Sequence, residues 1–150
     1  MSVRIEQCMW IDAAPAQVWD AVDDVPSHGV WMRDAAEITM LNGRRGGVGA
    51  EFSCLTKVGP LRERDVLRVT EWEPGVAMGI DHLGVVSGSA RFTLTPSARG
   101  TMFCWAEHLR FPWWMGGVVG ERFAKPVLGR IWRRNLERLK RLVEAAPASD

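Results

Sequence analysis

Between Val3 and Asp12 the apolar residues Val3, Ile5, Met9 and Ile11 alternate with Arg4, Glu6 and Asp12, which is the two-residue period of a strand with one buried face. Asp12-Ala13-Ala14-Pro15 then supplies a turn and a proline suited to a first helical turn. Val18, Trp19 and Val22 recur at helical spacing, so a short helix is predicted over 15–22. Asp23-Asp24-Val25-Pro26 breaks it, and Ser27 is placed to cap a second short helix carrying Val30 and Trp31.

From Glu37 the pattern becomes β-like runs separated by turn residues, predicting an antiparallel meander over 37–42, 48–57, 61–73, 76–83, 88–96 and 101–110. Asn42-Gly43 with Gly46-Gly47, Gly59-Pro60, Pro74-Gly75, Gly84, and Pro96 to Gly100 permit the reversals. After Phe111-Pro112 the apolar residues Phe123, Val127, Leu128, Ile131, Trp132, Leu136, Leu139, Leu142 and Val143 form a stripe at three- and four-residue spacing. Arginines and lysines occupy the other side, so one long amphipathic helix is predicted. Gly116-Gly117, Gly120 and Pro126 predict an irregular or kinked start to it, and 145–150 a frayed tail. The order of strand, two short helices, six strands and long helix predicts an α+β fold. A twisted seven-stranded sheet would bend around a helix that covers only part of it, leaving a tapered space between them.

The length of 150 residues suits one domain, and no internal repeat or linker divides it, so a single domain over 1–150 is expected. Eight tryptophans and no tyrosine indicate an aromatic interior, and a net charge of +1 gives no field that would gather nucleic acid. Cys8, Cys54 and Cys104 lie far apart without metal-ligand spacing, and the simplest reading is three reduced, core-filling thiols in a cytoplasmic protein. The N-terminus lacks the basic-then-apolar order of an export signal, and no apolar window is long enough to span a bilayer, so no membrane insertion is expected.

The stretches Ile11-Asp12-Ala13-Ala14-Pro15-Ala16-Gln17-Val18-Trp19, Val48-Gly49-Ala50-Glu51-Phe52, Val69-Thr70-Glu71-Trp72-Glu73-Pro74-Gly75, Phe92-Thr93-Leu94-Thr95-Pro96, Gly100-Thr101 and Arg134-Asn135-Leu136-Glu137-Arg138-Leu139-Lys140 follow one another in a telling order. In this the chain resembles the START-like (SRPBCC) superfamily, and within it the polyketide cyclase/dehydrase-like proteins. The resemblance implies a helix-grip fold with a ligand cavity. It does not imply one chemistry, because lipid carriers, hormone receptors, quinone-binding proteins and cyclases share the scaffold.

Such a cavity would be lined by alternate strand residues and the inner face of the last helix. Parity assigns Met78, Ile80 and His82 to one strand face, Phe92 and Leu94 to another, and Phe103, Trp105, Glu107, Leu109 and Phe111 to a third; Leu128, Ile131, Trp132 and Asn135 lie on the helix stripe. Glu107 stands out as a carboxylate on an apolar row. It could act as acid or base or hold a ligand hydroxyl, although the plainer reading is an ion pair with one of the arginines. His82 could bond a ligand carbonyl at the cavity mouth or simply be solvated. Asn135 could offer its amide to a ligand or bond a neighbouring backbone group. Arg64, Arg68 and Arg91 are candidate anchors for an acidic or polyphenolic ligand, Arg91 being the one singled out. Parity turns His108 outward, and nothing in the sequence supports a role for His28 beside the entrance.

Trp113-Trp114 is expected to pack against the short helices; a hydrophobic gate, a membrane contact or a homodimer contact are its alternatives. No catalytic triad order, phosphate-cradling loop, metal-ligand spacing or dinucleotide fingerprint occurs, so neither metal nor cofactor is expected. The leading expectation is a module that binds a hydrophobic small molecule: a lipid, isoprenoid or aromatic polyketide. The rival is an aromatase/cyclase or dehydratase using the same cavity, with Glu107 or His82 moving protons, and the third is a protein-interaction module.

Overall fold

The structure is a computed structural model that describes residues 3–146. Its elements are β1 (Val3–Ile11), α1 (Pro15–Val22), a 3-10 turn (Val25–Val30), β2 (Ala35–Met40), β3 (Glu51–Val58), β4 (Leu61–Glu73), β5 (Ala77–Leu83), β6 (Ser87–Ser97), β7 (Gly100–Arg110), a second 3-10 turn (Trp113–Met115) and α2 (Gly117–Ala145). The tail expected at the C-terminus lies, beyond Ala146, outside the described residues. The seven strands form one antiparallel sheet in the order β1-β7-β6-β5-β4-β3-β2. First and last strands are therefore neighbours, and only the β1-to-β2 connection, made by α1 and the first 3-10 turn, crosses the sheet. The sheet curves around α2 in the helix-grip arrangement.

Two bulges keep the apolar residues on the concave face. Pairing shifts by one residue between Val69 and Glu71 in β4, and again between Ala35 and Glu37 in β2. An extra residue in one strand reverses the parity beyond it. Val69 and Trp72 thus both pack inward, in contact with the core, while Glu71 turns outward to meet Arg91. Without the bulge Glu71 would face the interior.

Helix α2 buries Trp132, Leu136, Leu139 and Val143 against the sheet, each such side chain contributing about 1.5–3 kcal/mol by leaving water. Pro126 sits inside the helix on its exposed side, where solvent can satisfy the carbonyl that a proline leaves without a partner. The irregular start expected there falls earlier, at Gly116, whose φ of 97° ends the second 3-10 turn before the helix begins. Trp31, Phe92, Phe103 and Trp105 cluster beneath the helix, and Trp105 stacks on Trp132 with ring centres 4.9 Å apart.

Two sequence expectations are corrected here. Cys8 is register-paired with Cys104 across β1 and β7, and a disulfide joins them with Cα atoms 4.1 Å apart; only Cys54 is free. The reduced-thiol premise behind a cytoplasmic assignment therefore falls, since such bonds persist in oxidising surroundings. Trp113 and Trp114, expected to pack against the short helices, are instead exposed.

Candidate ligand-binding site

A cavity of about 470 Å³ lies between the concave face and the first half of α2. The alternation of each strand decides its walls. Phe52 and Cys54 of β3, Leu67 of β4, Met78 and Ile80 of β5, Ala90 and Phe92 of β6, and Trp105 and Leu109 of β7 supply most of the lining, and Ala124, Leu128 and Trp132 close it from the helix. Along β7 the fully buried Phe103 does not reach the cavity, whereas Trp105, Glu107, Leu109 and then Phe111 do. The indoles therefore seal one end, and the space runs toward the β7–α2 corner.

Polar groups gather midway. Glu107 is buried, and its Oε1 accepts a hydrogen bond of 2.9 Å from Trp105 Nε1. Its Oε2 lies 3.8 Å from His82 Nε2, which is ion-pair range but too long for a hydrogen bond. The intervening strand explains how the two meet. Ile80, Ala90 and Glu107 form one row across β5, β6 and β7, and His82, Gly88 and Leu109 the next. With only Ala90 and Gly88 between them, no bulky side chain separates imidazole from carboxylate. Gly88 is also required for its backbone: its φ is 144°, and a Cβ there would come within 1.8 Å of the His108 carbonyl oxygen.

Burial alone would push the His82 imidazolium down, but Glu107, with Asp65 and Asp81 in support, holds its pKa above the ordinary 6.5. Asp65 lies two residues from Leu67, the register partner of His82, and burial pushes its carboxyl upward. Neither Asp65 Oδ1 nor His82 Nε2 makes a hydrogen bond among the described residues. The site thus places an imidazole of raised pKa, a carboxyl tied to an indole and a second carboxyl in one largely apolar hollow, the ingredients for orienting a polar group or moving a proton.

Of the sequence-predicted residues, Met78, Ile80, His82, Phe92, Trp105, Glu107, Leu128 and Trp132 are brought together around the cavity. Leu94 and Phe103 are not, being packed into the core at the sealed end, and Ile131 packs against the same core. The partner of Glu107 is a histidine and not an arginine. Asn135 is fully buried away from the cavity: its Nδ2 donates to Asp34 Oδ1 at 2.7 Å, and its Oδ1 accepts from Arg33 N at 3.3 Å and from Arg138 Nη2. Its amide is used in tying α2 to the segment before β2, not left for a ligand. Arg91 borders the cavity, but its parity is opposite to that of Phe92, and its guanidinium is bound to Glu71 at 2.7 and 3.1 Å on the outer face. Arg64 and Arg68 are likewise paired outside, with Glu37 and Glu51. His108 is exposed.

Sequence reasoning missed Asp34, Asp65 and His28, all of which line the cavity. Asp65 was detectable, because it shares parity with Leu67 and Val69. His28 was not: its Nε2–H donates to the Val22 carbonyl oxygen at 2.7 Å, a bond set by the path between α1 and the 3-10 turn. Burial pushes its pKa down, so it stands there as a neutral ring. Burial likewise pushes the Asp34 carboxyl up, against the opposing hydrogen bond from Asn135, and raises the Cys54 thiol to about 11, leaving it unreactive. Among the described residues no cluster of His, Cys, Asp and Glu has the arrangement of a metal site.

The sequence matches, over residues 2–144, the family model described as polyketide cyclase / dehydrase and lipid transport. The chain belongs to this family. No curated protein matches it. Among solved structures it is similar to a protein of Thermus thermophilus, with a TM-score of 0.79 and 14% identity over 97% of this chain and 99% of the other. It is also similar to the Zhui aromatase/cyclase from Streptomyces sp. R1128, with a TM-score of 0.74 and 14% identity over 96% and 94% of the two chains. A START superfamily protein from Mycobacterium smegmatis superposes with a TM-score of 0.76 and 11% identity over 95% and 97%. Identities this low show the shared fold alone.

Proposed function

We propose that this family member binds a hydrophobic small molecule, a lipid, isoprenoid or aromatic polyketide, in the cavity between sheet and helix, with the ligand's polar group set against His82 and Glu107. The observation that carries this reading is a cavity of about 470 Å³, within the usual ~300–1,000 Å³ of small-molecule sites, whose walls are mostly apolar, with His82, Glu107 and Asp65, and also His28 and Asp34, among the polar groups that line it. Burial of ligand surface at about 25 cal/mol per Å² supplies affinity, and the His82–Glu107 pair, which can both donate and accept, selects a hydroxyl or carbonyl terminus. Met78, Ile80, Phe92, Trp105, Leu128 and Trp132 serve as the apolar contacts.

The test is native mass spectrometry of protein purified from the cells that make it. A retained mass that is lost from Ala90→Phe, which fills the space between His82 and Glu107, supports the reading. Protein without retained mass that also fails to take up a fluorescent fatty acid or a polyphenol overturns it.

A second reading, a cyclase or dehydratase, is favoured specifically by the His82–Glu107 pair, because proton transfer during aldol condensation and dehydration needs an acid and a base within reach of one substrate. Turnover of a poly-β-ketone mimic that disappears in Glu107→Gln and His82→Gln would support it. Turnover that persists in both removes the pair from the chemistry.

A further inference from the structure

Three large apolar residues line the cavity and are also more than half exposed: Leu61 at 61%, Phe123 at 72% and Val127 at 51%. They mark the mouth, with the β3–β4 hairpin on one side and the first half of α2 on the other. On the helix, Val119, Phe123 and Val127 recur every fourth residue, forming an exposed apolar stripe beside the inward row of Gly120, Ala124 and Leu128. The preceding turn adds Trp113 at 86% and Trp114 at 61% exposure. Arg122 and Lys125 are exposed beside the stripe, and Arg62 is exposed at the hairpin. The nearby carboxylates do not cancel them: Glu121 is buried and accepts the backbone N–H of Phe111, which leaves Glu63 as the acidic residue at the rim.

An exposed apolar patch of this kind needs a covering. A rim of indoles and aliphatic side chains edged by cations has the composition of a surface that lies in a membrane interface, where indoles sit at headgroup level and basic residues meet anionic lipid. From this we infer that the mouth of the cavity docks peripherally on an anionic lipid bilayer through Trp113, Trp114, Phe123 and Val127, with Arg62, Arg122 and Lys125 facing the headgroups. The docking is interfacial, and no helix of the described residues is long and apolar enough to cross a membrane. It would open the cavity directly onto the phase in which hydrophobic molecules dissolve. It does not depend on what the cavity holds, since vesicle binding is read without any ligand.

The experiment is co-sedimentation of the full chain with phosphatidylcholine vesicles with and without phosphatidylserine, together with the shift of tryptophan emission. Binding is expected to anionic vesicles, with a blue shift that vanishes in the doubly substituted Trp113→Ser, Trp114→Ser protein and a weakening as salt rises. The pair Arg122→Gln and Lys125→Gln should weaken partitioning about thirtyfold, from the contribution of each basic residue near an anionic surface. These side chains are exposed, so circular dichroism should report an unchanged fold. Absence of binding to anionic vesicles, or equal binding by all variants, overturns the inference. So does a concentration-dependent dimer abolished by the same tryptophan substitutions without vesicle binding, which would assign the rim to a second copy of the chain.

Discussion

Replacing Glu107 by Gln isolates the charge that distinguishes this cavity, because glutamine keeps an oxygen for Trp105 Nε1 and changes little in size. The carboxylate and imidazolium are 3.8 Å apart; at an effective dielectric of ~20 their attraction is about 4 kcal/mol. Burial of both charges offsets part of this, and removing one partner of such a pair typically costs ~3–5 kcal/mol while the other stays charged. The cost depends on pH with a definite sign. The folded pKa of His82 lies above 6.5, so its contribution to stability is fully present below the unfolded value and is lost as pH rises through the folded one. In Glu107→Gln the chief cause of that elevation is gone, and burial favours the neutral ring. The wild type should therefore exceed the variant by about 3 kcal/mol near pH 5.5, and the difference should shrink as pH rises through the raised folded pKa of His82. Urea unfolding at several pH values measures this difference, and effects of other titrating groups largely cancel in it. A difference that stays constant across the range would refute the ion pair as the source of the stabilisation.

Asn135→Leu should destabilise by ~2–4 kcal/mol, since it removes the 2.7 Å donor to Asp34 and leaves a buried carboxyl unsatisfied; a thermal melt within experimental scatter of wild type would contradict the assignment. Reducing the Cys8–Cys104 bond, which closes a sequence separation of 96 residues, should lower unfolding free energy by ~2–4 kcal/mol, and thiol titration of the denatured, unreduced protein should find one thiol, not three. Gly88→Ala should cost more than ~3 kcal/mol or prevent folding, because the new Cβ meets the His108 carbonyl oxygen at 1.8 Å. Gly59→Ala, also at positive φ but with nothing within 4 Å, should cost about 1 kcal/mol, so similar losses at the two positions would sink the argument from close approach.

What could be read without coordinates was periodic and local. The run 61–73 and the helix 15–22 coincide with β4 and α1, because strand alternation, a helical stripe and proline or glycine punctuation are written in neighbouring residues. The inward set of β7 was equally legible, and with it Glu107 as a carboxylate on an apolar row. Tertiary structure decided who meets whom. Cys8 faces Cys104 only because the first and last strands are register partners, a relation no spacing reveals. Glu107 finds His82 and not an arginine because the small residues Gly88 and Ala90 lie between them on β6. The bulge after Val69 turns Glu71 outward to bind Arg91, and Asn135 is consumed by Asp34 across 101 residues. Side-chain partnership is a property of distance in space, and a chain pattern fixes which face a residue takes long before it fixes what waits on the other side.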